Sequence, residues 1–478
     1  MRRHRIAMLL VLGAALACGE GPGPGPSYVL TIAAGDAQTD TIGATLTLRY
    51  AVHVTDTAGA SVAGLAVSWT VTGGGGTITA SSTTNAGGIA TATRVLGTTA
   101  GTATARAQVA GASVTFTATA LPSAAAPVLV KSLPITENYG LHDQFIRDGL
   151  AFLSAWNSGV LIYDVGNGIA GGSPANPVLV DSLTTSGGAA HNAWWFHNPV
   201  TSETKYLFVG QEGPGQIGVS SSGDIHVVDV SNLTDIREVA FFHRAGAGTH
   251  NFWMDEPNQT LYAAYYNGGV AAIDVSGTLS GDISARLIDT LTFGVGNTYT
   301  WGVQLYNGSL YATDMLSGLW QLGTSLGTIS RAGGGNNETN RYASDLRVAN
   351  GYAYTGTWDH FQRTGQGGSL LKVWQLSGGG APVAVDSILV SDVGAVSDVD
   401  ISADGKLLMF STESGPSSGF WFYSLADPAH PAFASKYLVS SGVHTATLAM
   451  IGGRLYAFGA KNPGGAALII LDVTSLDR

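Results

Sequence analysis

Cysteine and positive charge are both scarce in this chain. One cysteine, Cys18, stands among 478 residues, so no disulfide can form within the chain. Charged residues make up only 12% of it, and 22 Lys and Arg are outnumbered by 33 Asp and Glu. A formal net charge of -11 with no basic cluster excludes a nucleic-acid partner, because phosphate contacts need grouped Lys and Arg. The apolar run Ile6 to Ala17 is too short to span a bilayer. What the chain has in abundance is glycine, 66 residues, within a sequence that is 45% hydrophobic. That combination fits extended β-structure and not disorder, which needs high charge and few apolar residues.

The strongest pattern is a repeat. From Pro127 onward an apolar run preceded by glycine returns seven times, as GVLIYDV at 159–165, GDIHVVDV at 223–230, GVAAIDV at 269–275, GLWQL at 318–322, GSLLKVWQL at 368–376, GFWFYSL at 419–425 and GAALIILDV at 465–473. Each is preceded by a second apolar strand, such as GLAFLSAW at 149–156 or GRLYAFGA at 453–460. Most are followed by an outer strand such as PVLVDSL at 177–183. A unit of this length cannot bury its own faces and must stack against copies of itself. PVLVKSL at 127–133 copies the outer strand but precedes the first unit, and the last unit stops at Asp472-Val473 without one. The expectation is that 127–135 supplies the missing strand of the last unit, so that no sheet edge is left open. The expected fold is all-β: an immunoglobulin-like sandwich over 28–120, then a seven-bladed β-propeller over 127–478 closed by its N-terminal strand.

The first residues set the expected address. Arg2, Arg3, His4 and Arg5 precede the apolar run, which ends in Ala15-Leu16-Ala17-Cys18. This resembles a bacterial lipobox, which implies a signal peptide at 1–17, acylation of Cys18, and a lipid anchor in the cell envelope, at the outer membrane or cell surface. Residues 18–27 form a Gly/Pro linker that can hold no helix and join no ladder. Over 28–120, period-two alternation as in Thr45 to Val54 and Val67 to Val71 predicts about seven short strands, with Trp69 in a sandwich core and His53 solvated. The pattern VSWTVTGGGGTIT with TTNAGGIATATRVLGTTAGTATARA resembles the Big-1-like Ig modules of invasin and intimin adhesins, which implies a stalk. A second linker, 121–126, leads to the repeats. There GLAFLSAWNSGVLIYDVGNG, NPVLVDSL and YNGGVAAIDVSG resemble the LVIVD-repeat propellers of bacterial surface proteins, a likeness that implies the fold and carries no catalytic residues.

Candidate site residues follow from the frame of the repeat. The first strands begin at His142-Asp143, His191-Asn192, His250-Asn251, Trp301-Gly302, Ser344-Asp345, Ser397-Asp398 and His444-Thr445, at spacings of 49, 59, 51, 43, 53 and 47. In a closed ring His444, His142, His191 and His250 stand on four consecutive blades at the channel mouth, with Asp345 and Asp398 across it. Trp156 and Trp358 come to the same face from the turns after the second strands, together with Glu212, Tyr266 and Glu413. Such a face suits non-catalytic recognition of a surface protein or a glycan. Alternatively, neutral imidazoles at His142, His191, His250 and His444 suit a divalent transition metal, Cu, Zn or Ni, and a metalloprotein or oxidoreductase. The blander alternative is that each His–Asp or His–Asn step satisfies backbone groups at a strand start.

Overall fold

The computed structural model describes residues 27–121, 126–137, 139–215, 221–293, 298–338, 340–358, 367–376, 380–461 and 465–476. The expected signal segment 1–17, Cys18, all of the first linker but Ser27, and 122–125 of the second linker lie outside the described residues. The chain is all-β. Its elements are strands apart from one 3-10 turn at Ser284–Arg286. Among the described residues no helix is long and apolar enough to cross a membrane. The chain divides into two compact units, Met1–Ala124 and Ala125–Arg478.

The first unit has a three-stranded sheet, Tyr28–Ala34, Tyr50–Asp56 and Ile89–Ala92, and a five-stranded sheet centred on the long pair Gly101–Val109 and Ala112–Leu121. Alternate residues of these strands meet in one core, where Tyr50, Val52, Trp69, Ala105 and Phe116 are buried. Tyr50 stacks on Phe116 with centroids 4.4 Å apart. The strand expected from Thr45 starts only at Tyr50. Thr45 bridges Val95 instead, and the Leu46 amide donates to the Arg94 carbonyl at 2.9 Å, so this stretch pairs with a different partner. His53 is half-buried, with Nε2 2.8 Å from Ser61 Oγ.

The second unit contains seven sheets, each of four antiparallel strands; six follow chain order, and the second sheet gains a short fifth strand, paired parallel. Their first strands are Asp143–Arg147, Ala190–Phe196, Phe252–Asp255, Thr300–Tyr306, Tyr342–Ala349, Ala395–Ile401 and Thr445–Ile451. The fourth strand of the last sheet is Val128–Pro134, antiparallel to Ala467–Asp472. Second strands such as Leu150–Ser154 and Thr260–Ala264 are buried at every residue, which is why they read as continuous apolar runs: both of their faces are covered. Fourth strands are half exposed, as at Leu179, Val383 and Phe433. The glycine before the third strand has a steric cause. Gly159 sits at φ +79°, and a Cβ there would lie 2.1 Å from the Leu183 carbonyl oxygen.

Each first strand lies against that of the next sheet, and the seventh lies against the first. Side chains tie that last junction: Thr445 Oγ1 donates to the His142 carbonyl at 2.9 Å, and Thr447 Oγ1 to the Gln144 carbonyl at 3.1 Å. All seven first strands line one channel of about 320 Å³.

Candidate metal centre

The seven strand starts stack in two layers along this channel. The upper layer contains His142, His191, His250, Trp301, Ser344, Ser397 and His444. The residue after each forms the lower layer: Asp143, Asn192, Asn251, Gly302, Asp345, Asp398 and Thr445. Backbone irregularity produces the upper layer. In four first strands the pairing with the second strand shifts at this point, between Ala190 and Asn192, Thr300 and Gly302, Ala343 and Leu346, and Val396 and Val399. A bulge releases residues from the ladder and re-aims their side chains. His142, His250 and His444 reach the same level by standing just before their strands begin.

In the upper layer the rings form a circuit. Centroids are 4.3 Å apart from His444 to His142, 3.9 Å to His191, 4.2 Å to His250 and 4.2 Å to Trp301. Trp358 closes it, 5.3 Å from Trp301 and 5.7 Å from His444, filling the side where the layer offers only Ser344 and Ser397. The four histidines are 1–7% exposed. The expectation of an open rim of imidazoles is thereby corrected: turn residues cover the rings. Trp156 meets His142 edge-on at 4.6 Å and Tyr266 meets His250 at 4.9 Å. Both turn residues hold left-handed backbone, φ +44° and +33°, which a bulky side chain rarely adopts. Bridges to the next sheet pin them, Trp156 to Ala190 and Tyr266 to Thr300. Strain of this kind clusters where side-chain placement matters.

Hydrogen bonds fix the tautomers. His142 Nδ1 donates to the His191 carbonyl at 3.0 Å, and His250 Nδ1 to the Trp301 carbonyl at 2.6 Å. A carbonyl only accepts, so the proton is on Nδ1 and Nε2 keeps its lone pair. His444 Nδ1 lies 2.5 Å from Glu413 Oε1, and its Nε2 lies 3.0 Å from His142 Nε2. Two nitrogens at that distance cannot both present lone pairs to each other. Either His444 carries a second proton or one cation lies between them. His191 has no hydrogen-bond partner at either ring nitrogen. Its Nε2 is 3.8 Å from Glu212 Oε1, which accepts from the Tyr266 hydroxyl at 2.5 Å.

The electrostatics run the same way. Burial, then the neighbouring imidazoles, holds His142 and His191 well below the usual histidine range, so both are neutral. Burial lowers His250 to about 3, a little offset by its bond to the Trp301 carbonyl. For His444, burial is opposed by Glu413, Glu212 and Asp143, and the balance raises it. Burial lifts Glu212 above its ordinary value against the bond from Tyr266.

The lower layer is acidic. Asp345 Oδ1 accepts from Asn251 Nδ2 at 2.9 Å, Asp398 Oδ2 from the Ala446 amide at 2.7 Å, and Asp143 Oδ1 from the Gln144 amide at 2.7 Å. Burial raises all three carboxyls: Asp143 to about 7, Asp345 above its ordinary value, and Asp398 well above it, where the Asp345 charge adds to burial. These carboxylates therefore lie beneath the imidazoles on the channel side, one residue further along the strand, and not across an open mouth. Gly302 makes room for them, since a Cβ there would sit 2.5 Å from Asp345 Oδ1. Between the layers is a chamber of about 10 Å³, lined by the four histidines and Trp301 above and by Asn251, Asp345, Ser397, Asp398 and Thr445. It is sized for one water or one ion.

The donor set fits a borderline transition metal. His142, His191 and Glu212 offer ligand atoms within 4.8 Å of one another. Ligands around a tetrahedral ion with N bonds of ~2.0–2.1 Å stand ~3.3 Å apart, so these atoms need to close by an ångström or so. His142 and His444 already have that spacing. Nδ1 atoms donated to a carbonyl or carboxylate, with Nε2 turned inward, are the usual outer support of metal-bound histidine.

All eleven candidate residues of the sequence reading fall on this axis or its cover, with Asn192 on the channel wall. Glu212, Glu413, Tyr266 and Trp301 were not chosen there as ligands. The signal was present: Trp301 occupies the histidine's place in the frame, and Glu212 and Glu413 take equivalent places after second strands. His360, on one of the expected specificity loops, lies outside the described residues. No protein-family model matches the chain, and no curated protein matches it in sequence.

Proposed function

We propose that this protein is an envelope-tethered metalloprotein, a seven-bladed β-propeller of the LVIVD-repeat type that binds one transition-metal ion on its axis. The circuit of first strands and the pairing of Val128–Pro134 into the last sheet support the propeller. The two sheets around Trp69 support an Ig-like stalk. The lipobox-like Ala15-Leu16-Ala17-Cys18 supports acylation and an outer-membrane or surface address.

The observation that carries the metal reading is the unsatisfied polarity of the chamber. His191 is buried with both ring nitrogens unpartnered, and it offers a ligand atom within 4.8 Å of those of His142 and Glu212. Most buried polar groups in folded proteins are paired, and an orphan costs about 1–3 kcal/mol. A divalent cation would give the buried His191 imidazole the partner it lacks. His142 and His191 would hold it, with Glu212 as the oxygen ligand. His250 completes the wall. Imidazole with one carboxylate suits Zn, Cu or Ni. The histidines present no contact surface, so a protein or glycan partner would meet the surrounding turns and not the imidazoles.

Metal analysis of protein purified without a histidine tag, then equilibrated with Zn, Cu or Ni and dialysed, tests the reading. It predicts one equivalent per chain, lost on His142→Ala with His191→Ala. Sub-stoichiometric metal in the parent, or full retention in the double variant, would overturn it.

A further inference from the structure

Four residues belong to both cavities. Asn251, Asp345, Asp398 and Thr445 line the small chamber under the imidazoles and also the inner end of the 320 Å³ channel. They are the wall the two spaces share. On the other side of the chamber the imidazoles are covered by Trp156, Tyr266 and Glu212, and Trp301 and Trp358 complete the ring layer.

The channel has the composition of a cation path. Asp143, Asp345, Asp398 and Asp400 line it with the carboxamides of Gln144, Asn192, Asn251 and Gln304. Its one basic residue, Arg347, is already engaged, with Nη2 2.8 Å from Asp400 Oδ1 and its guanidinium over the Trp253 ring at 5.5 Å. Ser397 Oγ is buried, faces the chamber and has no hydrogen-bond partner. Carboxylate, carboxamide and hydroxyl oxygens along such a passage are what a hydrated divalent cation needs as it sheds water.

We propose that the metal reaches its imidazoles through this axial channel, with Asn251, Asp345, Asp398 and Thr445 as the oxygen-lined transfer point. This rests on the metal reading above and adds its route of loading. The two layers are adjacent in sequence on every strand, so the ion passes directly from oxygen ligands to nitrogen ligands. The channel thus selects for cations before the histidines select among them.

Ala403 allows a test that spares the core, because it is exposed, sits in the turn after the sixth first strand and lines the channel. Co²⁺ uptake by metal-free full-length protein is followed by stopped-flow absorbance in the parent, in Ala403→Arg and in Ala403→Glu. A positive charge at the entrance should slow uptake by about tenfold at low salt, and less at high salt, while Ala403→Glu is no slower than the parent. Final stoichiometry and spectrum should be the same in all three. Asp345→Asn should slow uptake as well, without dependence on the charge at position 403. If the parent develops no Co²⁺ spectrum, the metal reading fails and the route with it. If the parent loads but Ala403→Arg and Asp345→Asn load equally fast, the route alone is overturned.

Discussion

Each unit of this protein buries a nitrogenous side chain almost completely, and the two are treated in opposite ways. Arg94 in the first unit and His191 in the second are each 1% exposed. The terminal nitrogens of Arg94 are met by three backbone carbonyls, those of Thr77, Val95 and Gly75 at 3.2, 2.5 and 2.6 Å. His191 is met by nothing within hydrogen-bond reach. Burial alone therefore does not mark a functional residue. Arg94 Nε is itself unpartnered, so one buried atom without a partner marks nothing; at His191 both ring nitrogens lack one.

Substitutions should separate the two cases. Arg94→Ala leaves three carbonyls unpaired in the sandwich and should lower its stability by about 3 kcal/mol, read as an earlier urea transition. His191→Leu breaks no hydrogen bond and should cost the metal-free protein less than about 1 kcal/mol. It should instead abolish stabilisation by metal, which for the parent reaches about 2.7 kcal/mol at a hundredfold excess over Kd. Equal losses in the two metal-free variants would erase the contrast.

A smaller effect tests the lower layer. Gly302→Ala places a Cβ 2.5 Å from Asp345 Oδ1 and 2.7 Å from Leu346 Cδ2. Displacing both should cost about 1–3 kcal/mol and weaken metal binding, read by thermal unfolding with and without metal.

The smallest effect concerns a buried acid, Asp164, held by several backbone amides. Burial pushes Asp164 up, but backbone amides of Gly166, Ala170, Gly172 and Gly168 outweigh it and hold the carboxyl at about 2. The folded value lies below the ordinary 3.8, so the carboxylate's contribution is complete above pH 4 and is lost as pH falls toward 2. Asp164→Asn should cost about 1 kcal/mol at neutral pH. It should also flatten the stability profile between pH 4 and 2, measured by urea titration at stepped pH.

Much of this was legible in the sequence, for physical reasons. Period and glycine placement report the sheets because second strands are buried on both faces and several third strands start from a glycine turned under a carbonyl, as at Gly159, Gly269 and Gly419. The frame of His142, His191, His250 and His444 was legible because closure of a repeat puts equivalent positions at one level. Strand pairing was less so: Thr45 to Arg49 alternate like a strand, yet Thr45 and Leu46 pair with the Arg94–Val95 edge. The bulges at His191, Trp301, Ser344–Asp345 and Ser397–Asp398 leave no mark in the sequence, so the depth of the rings and the placing of the aspartates beneath them were missed. Trp358 was visible as a turn aromatic, but its part in closing the circuit depends on the small Ser344 and Ser397 opposite the histidines, a relation between residues far apart in the chain.

The most direct test of a metal on the axis is anomalous diffraction from crystals grown with zinc, using data collected on both sides of the zinc absorption edge. The account predicts one strong peak per chain within bonding distance of His142, His191 and Glu212. Peaks confined to outlying histidines such as His243 or His430, with nothing on the axis, would contradict it.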